Sequence, residues 1–303
     1  MPTARGLAVT FVELCTIGLV VATALGAALG ATWPFGLLEH FRVPAIVAGV
    51  LLGVAAGGLR RWFAFDGCAL AVGVQMALIA PPVGGAPLRG CEGGVPVRVL
   101  LLNVHTESTS YAKVAALIAE LDPDVVALVE VNQRWIDELW RGNPYPIAVE
   151  RPREDNFGMA FYARKPLGAT FLLVHPPPPV QRAMFDEQQR QLVAIAARVR
   201  ALDGPVVVLG DLNATPWSRP FARLVAESGL LDTRAGFGVQ ASFPAAEPLL
   251  RIPIDHVLVS PGVGVTARRI ERDVGSDHLP VYIELRIPAD DRHRDHAEAD
   301  GEP

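Results

Sequence analysis

The sequence predicts a mixed α/β domain preceded by about three transmembrane helices. Two observations carry this expectation. Half of the 303 residues are hydrophobic and the mean hydropathy is positive at +0.30, but the apolar excess lies at the front: residues 7 to 83 carry few charges, whereas residues 95 to 288 have ordinary globular composition. From Val97 onward, short β-branched runs alternate with helix-length amphipathic segments.

In the front zone (residues 1–83), Cys15 to Leu38, Val43 to Leu59 and Phe63 to Ala80 are apolar segments near the roughly 20 residues that cross a bilayer. The second, "VPAIVAGVLLGVAAGGL", is short and rich in Gly and Ala, so a close-packed or re-entrant helix pair is the alternative to a third span. A cleaved signal peptide accounts for only one apolar segment. Arg5 precedes the first segment and Arg60 and Arg61 precede the third, which by the positive-inside rule puts both in the cytoplasm. An odd number of spans then delivers everything after Pro82 to the outer side of a cell membrane. Lysine occurs only at Lys113 and Lys165, a composition that points to a GC-rich bacterial genome. Cys15 and Cys68 read as small buried hydrophobes, and a Cys68 to Cys91 bridge on the outer side is conceivable.

Residues 84–96 close the Pro/Gly-rich stretch "APPVGGAPLRGCEGGVP" and read as an irregular tether. The domain, residues 97–288, then opens on a strand at Val97 to Val104, followed by a helix at Tyr111 to Leu121, a strand at Val125 to Val129 and a helix at Gln133 to Trp140. Further strands are expected at Met159 to Tyr162, Ala169 to Val174, Val206 to Leu209, Ile254 to Val259 and Val281 to Leu285, with helices at Asp186 to Arg200 and Pro220 to Ser228. Residues 289–303, "ADDRHRDHAEADGEP", lack large apolar side chains and read as a solvated, disordered tail; its His293 and His296 are metal donors only in a weaker reading.

Six strand ends carry polar side chains. "VVVLGDLNATPWS" sets Asp211 and Asn213 on one side of a buried strand's carboxyl end, where α/β sheets place ligand chemistry. "LLLNVH" ends in Asn103 and His105, "DVVALVEV" carries Glu130, and "FLLVH" ends in His175. "IDHVLVS" begins with Asp255, and "VGSDHLPVYIEL" places Asp277 and His278 before the last strand. Each alone is as readily a cap, a turn or a satisfied buried group. Together, Glu130, Asp211 and Asp277 with Asn103 offer hard oxygen ligands without thiolate, which suits Mg²⁺ or Mn²⁺. His175 and His278 are available to donate to phosphate oxygens or to move protons. Such a set suits in-line attack of water on a phosphate ester.

In its order, "LLNVH … DPDVVALVEV … FGMAFYARKPL … LLVHPPPP … VVLGDLNATP … IDHVLVS … GSDHLPV" resembles the endonuclease/exonuclease/phosphatase superfamily over residues 97 to 286. The resemblance implies a four-layered α/β sandwich, two mixed sheets face to face with helices outside, and a divalent-metal phosphoesterase site on one rim. It implies that Asn103, Glu130 and Asp277 serve the metal, that Asp211 orients or deprotonates the attacking water, and that Asn213 holds a phosphate oxygen. It further implies that His278 contacts the phosphate, that Asp255 orients His278, and that His175 serves the leaving group or phosphate. His105, which stands where some family nucleases have an aspartate, joins Asn156 and Arg190 as further phosphate-binding candidates. A solvent-facing helix is the competing reading for Arg190 and Gln191.

Residues 95 to 303 carry 22 basic and 28 acidic side chains, a net charge of −6, and present no basic stripe for nucleic acid. The expected function is therefore a membrane-anchored, metal-dependent hydrolase of phosphate ester bonds whose substrate is lipid-linked, in the cell envelope. The layout of several spans before a compact domain also resembles bacterial membrane proteins associated with teicoplanin resistance. An anchored nuclease and a catalytically inactive envelope scaffold are the alternatives, and nothing in the sequence indicates a protein partner.

Overall fold

The computed structural model describes residues 3–83, 85–90, 93–139 and 144–288. The expected tail, Cys91 and Trp140 lie outside these residues. Cys15 and Cys68 are free thiols.

The apolar front folds as helices α1 (Ala4–Leu29), α2 (Gly36–His40), α3 (Arg42–Gly58) and α4 (Trp62–Val83). Two helices, Ala4–Leu29 and Trp62–Ala80, are long and apolar enough to cross a membrane, whereas Arg42–Gly58 has 17 residues and falls short. The first apolar run is also broken: helix α1 starts earlier than Cys15 and ends at Leu29, and turns around Trp33 and Pro34 lead into the separate α2. Hydropathy misses this break because the residues across it remain apolar.

Helices α1 and α4 run parallel, with Thr16 Oγ1 3.4 Å from Cys68 Sγ and Gln75 Nε2 donating to Thr23 Oγ1 at 3.2 Å. Antiparallel α3 packs its Gly49 against Val72 and its Gly53 against Cys68. The interior of this bundle includes many small or polar residues, among them Thr16, Thr23, Gly49, Gly53, Ala56 and Cys68, beside the larger Val12 and Ile79. Its exterior exposes Phe11, Leu14, Leu51, Val54, Phe63 and Leu70. Small residues at the interior positions let the helices approach closely.

Beyond α4, residues 85–90 carry no regular structure but lie against the domain: Leu88 O accepts from Val265 N, and Gly90 meets the Gly264 backbone. Ten strands and four helices follow among the described residues. One six-stranded sheet contains β1 (Val95–Asn103), β2 (Val125–Val129), β3 (Ile147–Arg151), β4 (Met159–Ala163), β9 (Gly264–Ile270) and β10 (Val281–Ile287), in the order β3-β4-β2-β1-β10-β9. The other holds β5 (Thr170–Leu173), β6 (Val206–Asp211), β7 (Leu231–Asp232) and β8 (Asp255–Val259), in the order β5-β6-β8-β7. Both are mixed, since β1–β2 and β5–β6 pair in parallel and their other ladders are antiparallel.

Strand period two gives each central strand two buried faces. Val97, Val99, Leu101, Val125 and Ala127 of one sheet pack on Val207, Leu209, Val257 and Val259 of the other. The opposite faces of the sheets are covered by helices. Leu100, Leu102 and Leu128 pack on α5 (Tyr111–Leu121) and α6 (Gln133–Leu139); Val206, Val208 and Leu258 pack on α7 (Arg182–Arg200) and α8 (Arg219–Ser228). The order helix, sheet, sheet, helix is the expected four-layered sandwich. Strands β3, β7 and β9, absent from the sequence expectation, lie at or next to the sheet edges.

Candidate active site

The carboxyl ends of β1, β2, β5 and β6 and the start of β8 meet at one rim. Their geometry begins with a glycine. Gly210, with φ +146°, passes so close to β5 that a Cβ there would sit 1.8 Å from Val174 O. Only glycine brings the strands this near, and the next residue, Asp211, is thereby aimed into the cluster.

Asn103 is fully buried, and its Nδ2 donates to Glu130 Oε1 at 2.8 Å and to Asp211 Oδ2 at 3.2 Å, and lies 3.5 Å from His278 Nε2. His175 Nε2 stands 3.7 Å from Asp211 Oδ2 and 3.9 Å from Glu130 Oε1. His278 Nδ1 donates to Asp255 Oδ2 at 2.8 Å, while its Nε2 faces Asp211 Oδ2 at 3.6 Å. Asn213 N donates to Asp211 Oδ1 at 2.9 Å, and Asn213 Nδ2 donates to Pro176 O at 3.0 Å, leaving its second N–H free to serve a ligand. At the more open side, His105 Nδ1 lies 3.9 Å from the half-exposed Asp277 Oδ1, and His105 N donates to Asn103 Oδ1.

Four candidate residues hold left-handed backbone: His105 at φ +58°, Glu130 at +59°, Asn156 at +63° and Asn213 at +49°. Non-glycine residues adopt this region at a cost, and such strain concentrates at functional sites.

The electrostatics follow from burial. Removal from water pushes Asp211 up to about 7, although the His278 charge and the hydrogen bonds from Asn213 and Asn103 pull the other way. Burial opposes the charge on His278, but the carboxylates of Asp255 and Asp211 outweigh it and raise the imidazole to about 10. Burial likewise works against the Asp255 carboxylate, yet the His278 charge and hydrogen bonds from His278 and Ser242 hold its pKa below the usual range. His175 is held down by burial, with the charge of Glu130 opposing. A neutral imidazole and an imidazolium thus flank one buried carboxyl.

The donor set fits a hard divalent cation. Two carboxylates, Glu130 and Asp211, converge on one amide, and all the donors except the imidazoles are oxygens or Asn103. Asp211, Asp255 and His278 also bring ligand atoms within 4.8 Å of one another. Asp255 and His278, however, are already hydrogen-bonded together, and Ser242 Oγ donates to the same Asp255 oxygen at 2.6 Å.

Two phosphate-binding candidates are displaced from this cluster. Arg190 is largely exposed on the outer face of α7 and pairs with Glu187 at 2.6 Å, because the helix period turns Gln188 inward instead. The Asn156 side chain is exposed, and only its backbone lies against His175.

Other site residues escape sequence reading. Gln188 is completely buried and donates from Nε2 to Leu212 O at 3.2 Å and Asn213 O at 2.6 Å. His256 Nε2 donates to Ala214 O at 2.7 Å, and Ser276 Oγ donates to Asn103 O at 2.6 Å. Phe243 and Phe157 pack their rings on His278 and His175, with centroids 4.6 and 5.5 Å apart. Ser276, His256 and Phe157 stand within the segments "GSDHLPV", "IDHVLVS" and "FGMAFYARKPL", next to candidate residues; Gln188 and Phe243 leave no local signal, because their partners are brought in by tertiary folding.

A two-sheet α/β sandwich with hard oxygen donors and an Asp–His pair on one rim is a hydrolase fold suited to phosphate esters. The chain belongs to the Endonuclease/Exonuclease/phosphatase family, whose model matches residues 100–278. Members of this family are usually phosphodiesterases or phosphatases and are typically divalent-metal dependent. Among solved structures, an endonuclease/exonuclease/phosphatase family protein of Bacteroides thetaiotaomicron is similar at a TM-score of 0.53 and 15% identity, covering 65% of this chain and 99% of that one. Humanized D. rerio TDP2 is similar at a TM-score of 0.52 and 16% identity, covering 63% and 99%. A mannosyl-6-phosphatase of B. thetaiotaomicron is similar at 0.50 and 15% identity, covering 62% and 99%. A UPF0294 protein of Vibrio cholerae is 30% identical over 107 residues, 33% of this chain and 34% of that protein, so the match spans about a third of this curated relative.

Proposed function

We propose that the protein is a membrane-anchored, divalent-metal-dependent phosphoesterase that hydrolyses a phosphate ester or pyrophosphate of a cell-envelope lipid. One observation carries the lipid part: the loop after Asp211 is docked on the end of the helix bundle, where Thr215 N donates to His40 Nδ1 at 3.3 Å. Asn213 is two residues from that contact, a reach of about 7 Å along the chain. With the end of the bundle at the membrane surface in this reading, a phosphate held by Asn213 is presented close to the headgroup layer. The apolar exterior of the bundle and the placement of the α1–α3 connection beside the exit of α4 support three crossings with the domain outside. Helix α3, at about 26 Å, crosses with local thinning of the bilayer.

In this reading Asn103, Glu130 and Asp277 hold Mg²⁺ or Mn²⁺, which when bound offsets charge on the phosphate and polarises it toward attack. Asp211, held by the Asn213 N–H and with its pKa raised to about 7, orients the attacking water and accepts its proton. His278, kept cationic by Asp255, donates to a phosphate oxygen, and the free N–H of Asn213 donates to another. His175 is neutral and faces the leaving-group side.

The test is Mg²⁺-dependent phosphate or headgroup release by the purified full-length protein from polyprenyl pyrophosphate, phospholipid and nucleic acid, with Asp211→Asn as the blank. Release from a lipid above the blank is expected. Nicking of plasmid DNA without lipid hydrolysis would replace the lipid reading with the anchored nuclease, and equality with the blank on every substrate would leave the inactive scaffold.

A further inference from the structure

The loop from Asp211 to Arg219 is mounted from two sides. The domain holds one side: Leu212 N donates to Ile254 O at 2.9 Å, and Gln188 and His256 satisfy the carbonyls of Leu212, Asn213 and Ala214. The helix bundle holds the other. Besides the bond from Thr215 N to His40 Nδ1, Arg219 N donates to Glu39 Oε2 at 3.0 Å, and Arg219 Nη2 donates to Ala27 O at 2.5 Å.

The Glu39 contact supplies what the loop lacks. Arg219 opens α8, whose first N–H groups need acceptors and favour negative charge. Ser218 stands at the capping position but turns its Oγ–H to Thr215 O, so it caps nothing. Glu39 takes that place from another part of the chain. Its carboxylate is in turn held by Arg42 Nη2 at 3.3 Å, Arg42 Nη1 donates to Gln75 Oε1 at 2.9 Å, and Gln75 Nε2 donates to Thr23 Oγ1 at 3.2 Å. Thr23, Glu39, His40, Arg42 and Gln75 are all buried. The chain leaves room for this: a Cβ at Gly30 would sit 2.4 Å from Glu39 Oε1. His40 must be neutral to accept at Nδ1, and burial followed by the charge of Arg42 holds its pKa at about 4.

Buried polar groups are expensive in a membrane bundle and are retained where they act. We infer that Glu39 and His40 are positioning residues for the Asp211–Asn213 loop, so that the helix bundle is part of the phosphate-handling machinery as well as its anchor. The catalytic half of this inference rests on the phosphoesterase reading; the mounting of the loop does not.

The experiment uses full-length protein in detergent micelles with Mg²⁺ and the soluble probe bis(p-nitrophenyl) phosphate, so that access to a lipid plays no part. For His40→Ala and Glu39→Ala, kcat is expected to fall about 10²-fold with KM little changed, the consequence of a displaced rather than a missing group. His40→Asn and Glu39→Gln keep an acceptor and are expected to restore most of kcat. Hydrogen exchange by mass spectrometry is expected to quicken across residues 211–219 in the alanine variants, with residues 206–210 unchanged. Gly30→Ala, which displaces the Glu39 carboxylate from the bundle side, is expected to copy Glu39→Ala and serves as the second variant should an alanine at the interface unfold the chain. Unchanged exchange at 211–219, or quickened exchange with wild-type kcat, would overturn the inference. A wild-type chain inactive on the probe and on every substrate of the screen above would instead remove the phosphoesterase reading, and the exchange data would still decide whether the bundle mounts the loop.

Discussion

Asp255 Oδ2 accepts from His278 Nδ1 at 2.8 Å, and both side chains are almost wholly buried. The contact fixes which nitrogen of His278 faces Asp211 and keeps the ring cationic. In Asp255→Asn the carboxylate charge is lost while the shape remains. The His278 pKa, followed by NMR of labelled histidine, is expected to fall from about 10, and activity to drop about 10–100-fold. Stability moves with it. The folded pKa of His278 lies above the unfolded value of roughly 6.5, so its contribution is complete below that pH and is lost as pH rises toward about 10. That of Asp255 is depressed, so its contribution is complete above roughly pH 4 and lost on acidification. The stability gap between wild type and Asp255→Asn should thus be widest between about pH 4 and 6.5 in thermal unfolding. A gap that grows toward pH 10 would contradict the pairing.

Gly210→Ala tests the approach of β6 to β5. The methyl group would meet the Val174 carbonyl at 1.8 Å, and backbone cannot yield as a flexible side chain can. Added to a φ of +146°, this is expected to cost about 3 kcal/mol or more by denaturant unfolding, with activity lost because Asp211 moves with the strand. A variant of wild-type stability would show that the two strands are not so close.

The parts of the fold that could be read in the sequence are those where burial is symmetric. Strands β2, β6 and β8 are buried along their whole length and stand out by the apolar runs "VVALV", "VVVL" and "VLV" that they contain. Strand β3, "IAVER", and β9, "GVTARRI", are the two edge strands of their sheet and are interrupted by charges, Arg151 and Arg269 exposed and Arg268 buried, so no apolar run marks them. The site divides in the same way. Asn103, Asp211 and Asp255 stand at the ends of apolar strands, and Glu130, His175 and His278 within three residues of one, and they are visible for that reason. Gln188, His256 and His40 act on backbone groups of the 212–215 loop, and His40 meets Thr215 across 175 residues, a pairing that spacing cannot reveal.

Helix α7 offers a contrast between neighbours. Gln188→Leu preserves the volume but strips the donor from two buried carbonyls, Leu212 O and Asn213 O, at an expected cost of about 1–3 kcal/mol each side of the loss. Arg190→Ala removes only an exposed ion pair with Glu187 and is expected to change stability by less than about 0.5 kcal/mol and kcat/KM not at all. Denaturant curves and steady-state kinetics on the two variants separate the faces; equal effects would place Arg190 back in the site.

His256 gives the protein an acid limit. Burial, then the charge of Arg234, holds its folded pKa at about 3, while the unfolded ring titrates near 6.5. Below about pH 6.5 the unfolded state therefore binds a proton that the folded state refuses, and stability falls by up to about 1.4 kcal/mol per pH unit until the ring protonates near pH 3. His256→Gln keeps a donor for Ala214 O without this titration, and its unfolding free energy is expected to fall less steeply between pH 6 and 4. Parallel slopes would mean that other groups set the acid limit.

The cation assignment can be tested without turnover. Asn103 Nδ2 lies between Glu130 Oε1 and Asp211 Oδ2 at 2.8 and 3.2 Å, so two carboxylates share one amide. A divalent ion at Glu130 would relieve their repulsion and bind the folded chain alone, stabilising it by about 2.7 kcal/mol at a concentration 100 times its Kd. Mn²⁺ is therefore expected to raise the melting temperature of the wild type and to do so far less in Glu130→Ala. Asp211→Asn removes a carboxylate whose ionisation burial opposes first and the Asp255 charge second, so in the absence of metal it is expected to be more stable than the wild type even though it serves as the inactive blank. Should Mn²⁺ stabilise Glu130→Ala as strongly as the wild type, Glu130 is not a ligand, and the ion, if any, belongs with Asp211, Asp255 and His278, whose ligand atoms lie within 4.8 Å.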